Sequence, residues 1–289
     1  MYKVMIVDDE PPLLRSVKRA VQKDSCPFEV VVEALNGVET LEKIAQLKPD
    51  VVFTDIKMPL MDGITLVNQL SSTYPDIFPV ILSGYQDFDD AKAVMKAGAV
   101  DYLLKPLEPD IVPDILSNLK KRLDILYSRR REGILRRIAD SVPVPEDLMR
   151  RYFDFDCFHL VLVRLGALAP RVFPPFPVDG GKLPVSFDTS ELQKAYGCDG
   201  LCLARGRDKN EIIFLMGFRQ APGLNAQSTA ADLHTGILDL KAAKFITTVY
   251  TSSPVSLPQL PEAVQLLYKV LHRRLVPGKS QVLDCSASI

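Results

Sequence analysis

Four short apolar runs near the start of the chain each close on polar side chains that can do chemistry. Residues 2–7 lead to Asp8-Asp9, residues 51–53 to Asp55, residues 79–82 to Ser83 and residues 102–104 to Lys105. Carboxylates drawn to one crevice repel each other and demand a cation, and hard oxygen donors with room for water suit Mg²⁺. A lysine ammonium and a serine hydroxyl on the same crevice supply a point charge and a donor for a transferred phosphoryl group. In this reading Asp55 attacks phosphorus and Mg²⁺ neutralises the charge. The bland alternative is a buried ion-pair cluster, since an aspartate after a strand is usually an Asx turn or a helix cap. Five polar groups at four strand ends favour the chemical reading.

The elements that must position these residues follow from periodicity. Between the apolar runs lie segments of helical spacing. Leu14, Val17 and Val21 mark the first, and Val38, Leu41, Ile44 and Ala45 the second. Leu66, Val67 and Leu70 mark the third, and a fourth covers residues 88–98, with Gly98 as its stop. A further run over residues 30–34 gives five strands alternating with helices, which predicts a doubly wound parallel sheet. If the first and third strands are neighbours where the strand order reverses, Asp8, Asp9 and Asp55 converge at the carboxyl edge.

The chain has 289 residues, enough for two ordinary domains, with 47% apolar and 25% charged residues. A net charge of -1 advertises no global field for nucleic acid or membrane. No signal peptide and no membrane span is expected, which points to the cytoplasm. The five cysteines are odd in number and scattered, as reduced thiols would be. Cys198 and Cys202 lack a nearby histidine, and His159, His234 and His272 form no ligand spacing, so no zinc site is expected.

Residues 1–122 resemble a response-regulator receiver domain. The matching residues are Asp8-Asp9, Asp55, Met58-Pro59, Asp62-Gly63, Ser83-Gly84-Tyr85 and Lys105-Pro106. The resemblance implies a flavodoxin-like fold and a two-component system in which Asp55 takes a phosphoryl group from a histidine kinase. It implies that Asp9, Asp55 and the backbone carbonyl of Lys57 ligate Mg²⁺, with Asp8 acting through water. It further implies that Ser83 and Lys105 contact the phosphoryl oxygens, that the Lys105-Pro106 peptide is cis, and that Ser83 and Tyr102 form a switch.

Residues 123–150 read as a helical connector. Val112, Leu116, Leu119, Leu123 and Leu126 step by four and three, a seam of about two heptads. The seam breaks over residues 128–133 and resumes one position out of step at Ile134, Leu135 and Ile138. The first part is expected on the receiver sheet. Beyond it the helix is expected to pair with a second subunit as a homodimer or to join the domains. The arginines at 129–131 and 136–137 are interrupted by Glu132 and lack aromatic companions, so a solvated face is expected.

Residues 151–289 show the order β-α-β-β-α-β-α-β, which predicts a ferredoxin-like α+β domain. A proline-rich loop is expected at 170–184 and a hairpin around Gly206-Arg207-Asp208-Lys209-Asn210. The pattern resembles the degenerate nucleotide-cyclase-like middle domain of response regulators of the YesN class, carried by residues 249–283 and including Ser252-Ser253. An active cyclase would need a Gly-Gly-Asp/Glu-Glu-Phe turn in that hairpin, whereas long side chains stand there and Gly180-Gly181 lies in another element. A non-catalytic relay or dimerisation module is expected, and no enzyme. That class also carries an AraC-type DNA-binding tail of about a hundred residues, for which nothing after residue 250 offers a match. The expectation is a regulator whose DNA contact lies outside this sequence. The alternatives are a receiver acting through protein contacts or, less favoured, a phosphorylation-gated cyclase.

Overall fold

The computed structural model describes residues 1–21, 27–84, 88–106, 111–166, 187–220, 223–240 and 243–286. The expectations for Cys26, Tyr85, the loop at 170–184 and Gly180-Gly181 lie outside these residues. The chain divides into two compact units, Met1–Leu126 and Tyr127–Ile289.

The first unit alternates strand and helix: β1 (Tyr2–Val7), α1 (Pro11–Val21), β2 (Phe28–Ala34), α2 (Gly37–Leu47), β3 (Val51–Asp55), α3 (Gly63–Thr73), β4 (Phe78–Ser83), α4 (Phe88–Ala97), β5 (Asp101–Leu104) and α5 (Ile111–Ala139). The strands form one parallel sheet in the order β2-β1-β3-β4-β5, the flavodoxin-like doubly wound arrangement. Strands buried on both faces read as unbroken apolar runs, because each face packs on helices. Val4, Ile6, Val51, Phe53 and Leu82 pack with α1 and the start of α5, while Met5, Val7, Val52 and Ile81 pack on the other side, Val52 with α2 and α3 and Ile81 with α3 and α4. Helix ends are fixed by local chemistry. Asn36 caps α2 by accepting from the Glu39 N–H, and Asp62 caps α3 by accepting from the Thr65 N–H at 2.7 Å.

Helix α5 departs from the expectation in what its leucine seam faces. The seam residues Leu116, Leu119 and Leu123 are not a free face: Leu119 is 1% exposed and Leu123 0%, both within the first unit's own core. They are therefore unavailable as the seam of a dimer. The helix runs unbroken through 128–133, where the seam changes phase as its spacing indicates. Arginine is a good helix former, and what changes is the buried stripe. A phase slip of one residue turns the apolar face by about 100°, so Ile134, Leu135 and Ile138 are buried in the second unit's core. Of the expected connector, Leu123, Ile134, Leu135, Ile138, Ala139 and Met149 are buried.

In the second unit, α6 (Glu146–Tyr152) precedes β6 (Cys157–Leu165), α7 (Thr189–Ala195), β7 (Gly200–Arg205), β8 (Glu211–Phe218), α8 (Ala226–Asp239), β9 (Ile246–Tyr250), α9 (Leu260–Arg274) and β10 (Gln281–Asp284). The sheet order is β10-β9-β6-β8-β7, with β6, β7, β8 and β9 antiparallel to their neighbours and β10 added parallel to β9. Read from β6, this is the β-α-β-β-α-β order of a ferredoxin-like α+β domain with one extra edge strand. The order β-α-β-β-α-β-α-β expected for 151–289 does not include α6, which spans only seven residues. Its ends carry Glu146 and Asp147 at the start and Arg150 and Arg151 at the finish, as the helix dipole favours.

Candidate functional site

Sheet register builds the site. Val7 of β1 stands opposite Thr54 of β3, so the next residues, Asp8 and Asp55, emerge side by side where the strand order reverses. Asp55 stands opposite Leu82 of β4, and Ser83 opposite Leu104 of β5, which brings Ser83 and Lys105 to the same edge. The Lys105 N–H donates to the Ser83 carbonyl at 2.7 Å, and the Lys105-Pro106 peptide is cis.

Lys105 is the hub. Its Nζ donates to Asp8 Oδ2 at 2.6 Å and to Asp55 Oδ1 at 2.6 Å, so those two oxygens lie no further apart than twice that distance. Asp8 is 1% exposed, and its other oxygen accepts from the Glu10 N–H at 2.9 Å. Asp55 Oδ2 accepts from the Lys57 N–H at 2.9 Å. Burial opposes the charge on Lys105, but the hydrogen bonds and charges of Asp55 and Asp8 outweigh it and raise its pKa above the ordinary value. Ser83 is buried, and Tyr102 is half-buried against a cluster that includes Ile56, Ile81 and Val94.

Asp9 is exposed and does not join the pair, and among the described residues no group of three acidic, histidine or cysteine side chains is disposed to hold a metal ion. The expected three-carboxylate convergence is therefore a two-carboxylate pair bridged by a lysine. In kind, the donors fit a hard divalent cation, since Asp8 and Asp55 bring carboxylate oxygens to one point.

Gly63 is a site residue whose role the sequence reading missed. A Cβ there would lie 2.0 Å from the Asp55 carbonyl oxygen, and the Gly63 N–H donates to the Ile56 carbonyl at 2.8 Å. The absence of a side chain lets the loop after β3 fold back onto the strand that carries Asp55. The available signal was the dipeptide Asp62-Gly63, which reads as a turn and is in fact a helix cap followed by a close backbone approach.

A family model described as the response regulator receiver domain matches residues 4–117. Residues 4–117 are a response regulator receiver domain. A stretch of the chain is 37% identical over 126 residues to the uncharacterized transcriptional regulatory protein YesN of Bacillus subtilis, covering 42% of this chain and 34% of that protein. A stretch of 153 residues is 36% identical to a protein-glutamate methylesterase/protein-glutamine glutaminase of Vibrio vulnificus, covering 50% of this chain and 39% of the relative. Among solved structures, the REC domain of AraT, a response regulator from Geobacillus stearothermophilus, is 32% identical with a TM-score of 0.40, covering 43% of this chain and 95% of that one. The chain thus spans well under half the length of the curated relatives named here.

In the second unit the β7–β8 turn is filled by side chains. Arg164 of β6 donates to Glu211 Oε1 at 2.5 Å and to Asp208 Oδ2 at 3.2 Å, and the Asp208 N–H donates to Glu211 Oε2 at 3.0 Å. Gly206 fits beneath them, because a Cβ there would lie 2.5 Å from Glu211 Cβ and 2.6 Å from the Tyr268 hydroxyl. Tyr268 is buried beside Glu211, which pushes its pKa up. The described histidines are dispersed. His159 donates from Nδ1 to the Thr251 carbonyl at 3.2 Å, and His234 Nδ1 lies 2.9 Å from Thr248 Oγ1. Burial pulls both pKa values down, for His159 against a smaller opposing effect of the Thr251 bond. Cys157, Cys198, Cys202 and Cys285 are free thiols, and burial pushes Cys198 up to about 11 and Cys202 and Cys285 up to about 12. Among the described residues no helix is long and apolar enough to cross a membrane.

Proposed function

We propose that the protein is a cytoplasmic two-component response regulator that accepts a phosphoryl group on Asp55 from a histidine kinase and passes the signal to a transcriptional output. The observation that carries this reading is the bridging of Asp8 and Asp55, from adjacent strands, by Lys105 at the carboxyl edge of the sheet. An Asp55 oxygen attacks the phosphorus of a phosphohistidine. The O–P bond forms as the P–N bond breaks, and its electron pair leaves with the imidazole nitrogen. Lys105 is freed from Asp55 to meet the new phosphoryl oxygens, and Ser83 contributes its hydroxyl.

Asp9, Asp55 and the Lys57 carbonyl, with Asp8 through water, would hold Mg²⁺, which supplies positive charge to the phosphoryl oxygens. Asp9, exposed here, would have to turn inward to take part. The switch is Ser83 moving toward the phosphoryl group and Tyr102 rotating behind it, a two-state element biased by local charge. The second unit is a non-catalytic relay. Its β7–β8 turn presents a carboxylate, Glu211, that is already engaged by Arg164 and the Asp208 N–H. The words "transcriptional regulatory" in the name of the Bacillus relative support the transcriptional output. A homodimer through α5 would form on the exposed face around Ile125.

Intact mass after incubation with Mg²⁺ and acetyl phosphate tests the proposal. Wild type gains one phosphoryl group; Asp55→Asn does not, and neither does wild type without Mg²⁺. No gain in folded wild type would overturn the phosphoacceptor reading.

A further inference from the structure

The last turn of any helix leaves carbonyls without partners inside the helix. At the end of α5 two of these are taken by side chains from distant segments. Arg207, in the β7–β8 turn, donates from Nε to the Ala139 carbonyl at 2.5 Å. Gln265, on α9, donates from Nε2 to the Ile138 carbonyl at 2.6 Å. The two are joined: Arg207 Nη2 donates to Gln265 Oε1 and, at 3.2 Å, to Ser141 Oγ. Ser141 holds a left-handed φ of 61° as the chain leaves the helix. Behind the guanidinium lies the Tyr268 ring, 4.1 Å away, and the Tyr268 hydroxyl accepts from the Arg207 N–H at 2.9 Å.

Apolar packing joins α5 and α9 on their inner faces, where Ile138 and Ala139 share a buried core with Val264 and Tyr268; the polar joint lies outside that core. Between Val142, Val144 and α9 residues Pro261 and Leu266 there is an open cleft of about 560 Å³. Gln265, Ile138 and Ser141 line this cleft, and the Gln265 bond to the Ile138 carbonyl runs along its wall. Arginine suits the polar joint because its planar fork reaches several acceptors in one fixed geometry.

We infer that Arg207 and Gln265 join the C-terminal end of α5, the β7–β8 turn and α9 into one mechanical body, so that a displacement of the end of α5 is delivered to the turn and to α9. Helix α5 is the element whose residues belong to both compact units. The inference rests on the phosphoacceptor reading only for what displaces α5. The joint itself stands on the second unit alone.

Hydrogen exchange of the full chain tests the joint, comparing wild type with Arg207→Lys and Gln265→Ala over residues 134–142, 205–212 and 260–268. Lysine keeps the charge and loses the Nε donor and the fork. Both variants are expected to speed exchange about tenfold or more over all three stretches, including those that do not contain the substitution, with α8 unchanged. Faster exchange confined to the stretch that carries each substitution would overturn the joint. So would unchanged exchange over residues 134–142 in both variants. The comparison needs no phosphorylation, so its failure leaves the Asp55 mass gain standing, and absence of that gain leaves the joint standing.

Discussion

Gly63 stands against the backbone of Asp55 so closely that a methyl group on it would lie 2.0 Å from the Asp55 carbonyl oxygen. The contact is to backbone, which cannot swing aside as a side chain would. The loop that closes over the acidic site therefore depends on a missing side chain eight residues downstream of the proposed acceptor.

Gly63→Ala should cost about 1–3 kcal/mol of stability, the usual penalty of forced overpacking. Labelling of Asp55 by acetyl phosphate should fall well below wild type, because the Asp55 backbone has to shift. Urea melts and intact mass measure the two effects, and wild-type values in both would remove Gly63 from the site.

Lys105→Met should leave Asp8 buried with its charge unmatched. Removing one partner of a buried pair typically costs about 3–5 kcal/mol, and Lys105 is only 12% exposed, so little of this is screened. The urea midpoint should drop accordingly. Lys105→Arg should recover part of the stability, and a methionine variant as stable as wild type would show the pair to be incidental.

The raised pKa of Lys105 predicts a particular alkaline limb. A cation whose folded pKa lies above its unfolded value stabilises fully below the unfolded value, ordinarily 10.5, and loses that contribution as pH rises through the folded value. Wild-type stability should therefore fall more steeply above pH 10.5 than that of Lys105→Met. Parallel curves in paired urea titrations would contradict the assignment.

Leu119→Ala and Leu123→Ala should each destabilise the first unit by about 2–5 kcal/mol, as large-to-small changes in a packed core do. Neither should alter the sedimentation coefficient of the folded protein. A selective loss of self-association with unchanged stability would restore the dimer seam that their heptad spacing suggests.

The second unit should lose stability on acidification. His159 and His234 have pKa values below the ordinary 6.5, so between their folded and unfolded values the unfolded chain binds more protons. Their contribution is complete above 6.5 and falls away as pH drops through that value toward the folded ones. Thermal unfolding at pH 7.5 and 5 should show a smaller loss for His234→Gln than for wild type. Equal losses would place the acid sensitivity elsewhere.

Much of the receiver is readable from local pattern. The alternation of apolar runs with helical stripes specifies a parallel sheet with both faces covered. A residue that follows a strand directly must emerge at its carboxyl edge, so Asp8, Asp55, Ser83 and Lys105 could be assigned to one edge without coordinates. Which of them meet could not be. Lys105 reaches Asp8 across 97 positions of sequence, and Asp9, its immediate neighbour, points to solvent. Side-chain direction at a strand end depends on the loop that follows, which obeys no period.

The same divide explains α5. Its seam of leucines was legible, because helical spacing is a property of the segment alone. What the seam faces is a property of the whole fold, and a heptad stripe buried on the protein's own sheet has the same spacing as one buried in a dimer. The clamp at the end of α5 lies further still from any local signal, since Arg207 and Ala139 are 68 positions apart. Periodicity encodes which face of an element is buried; only the folded arrangement decides what buries it.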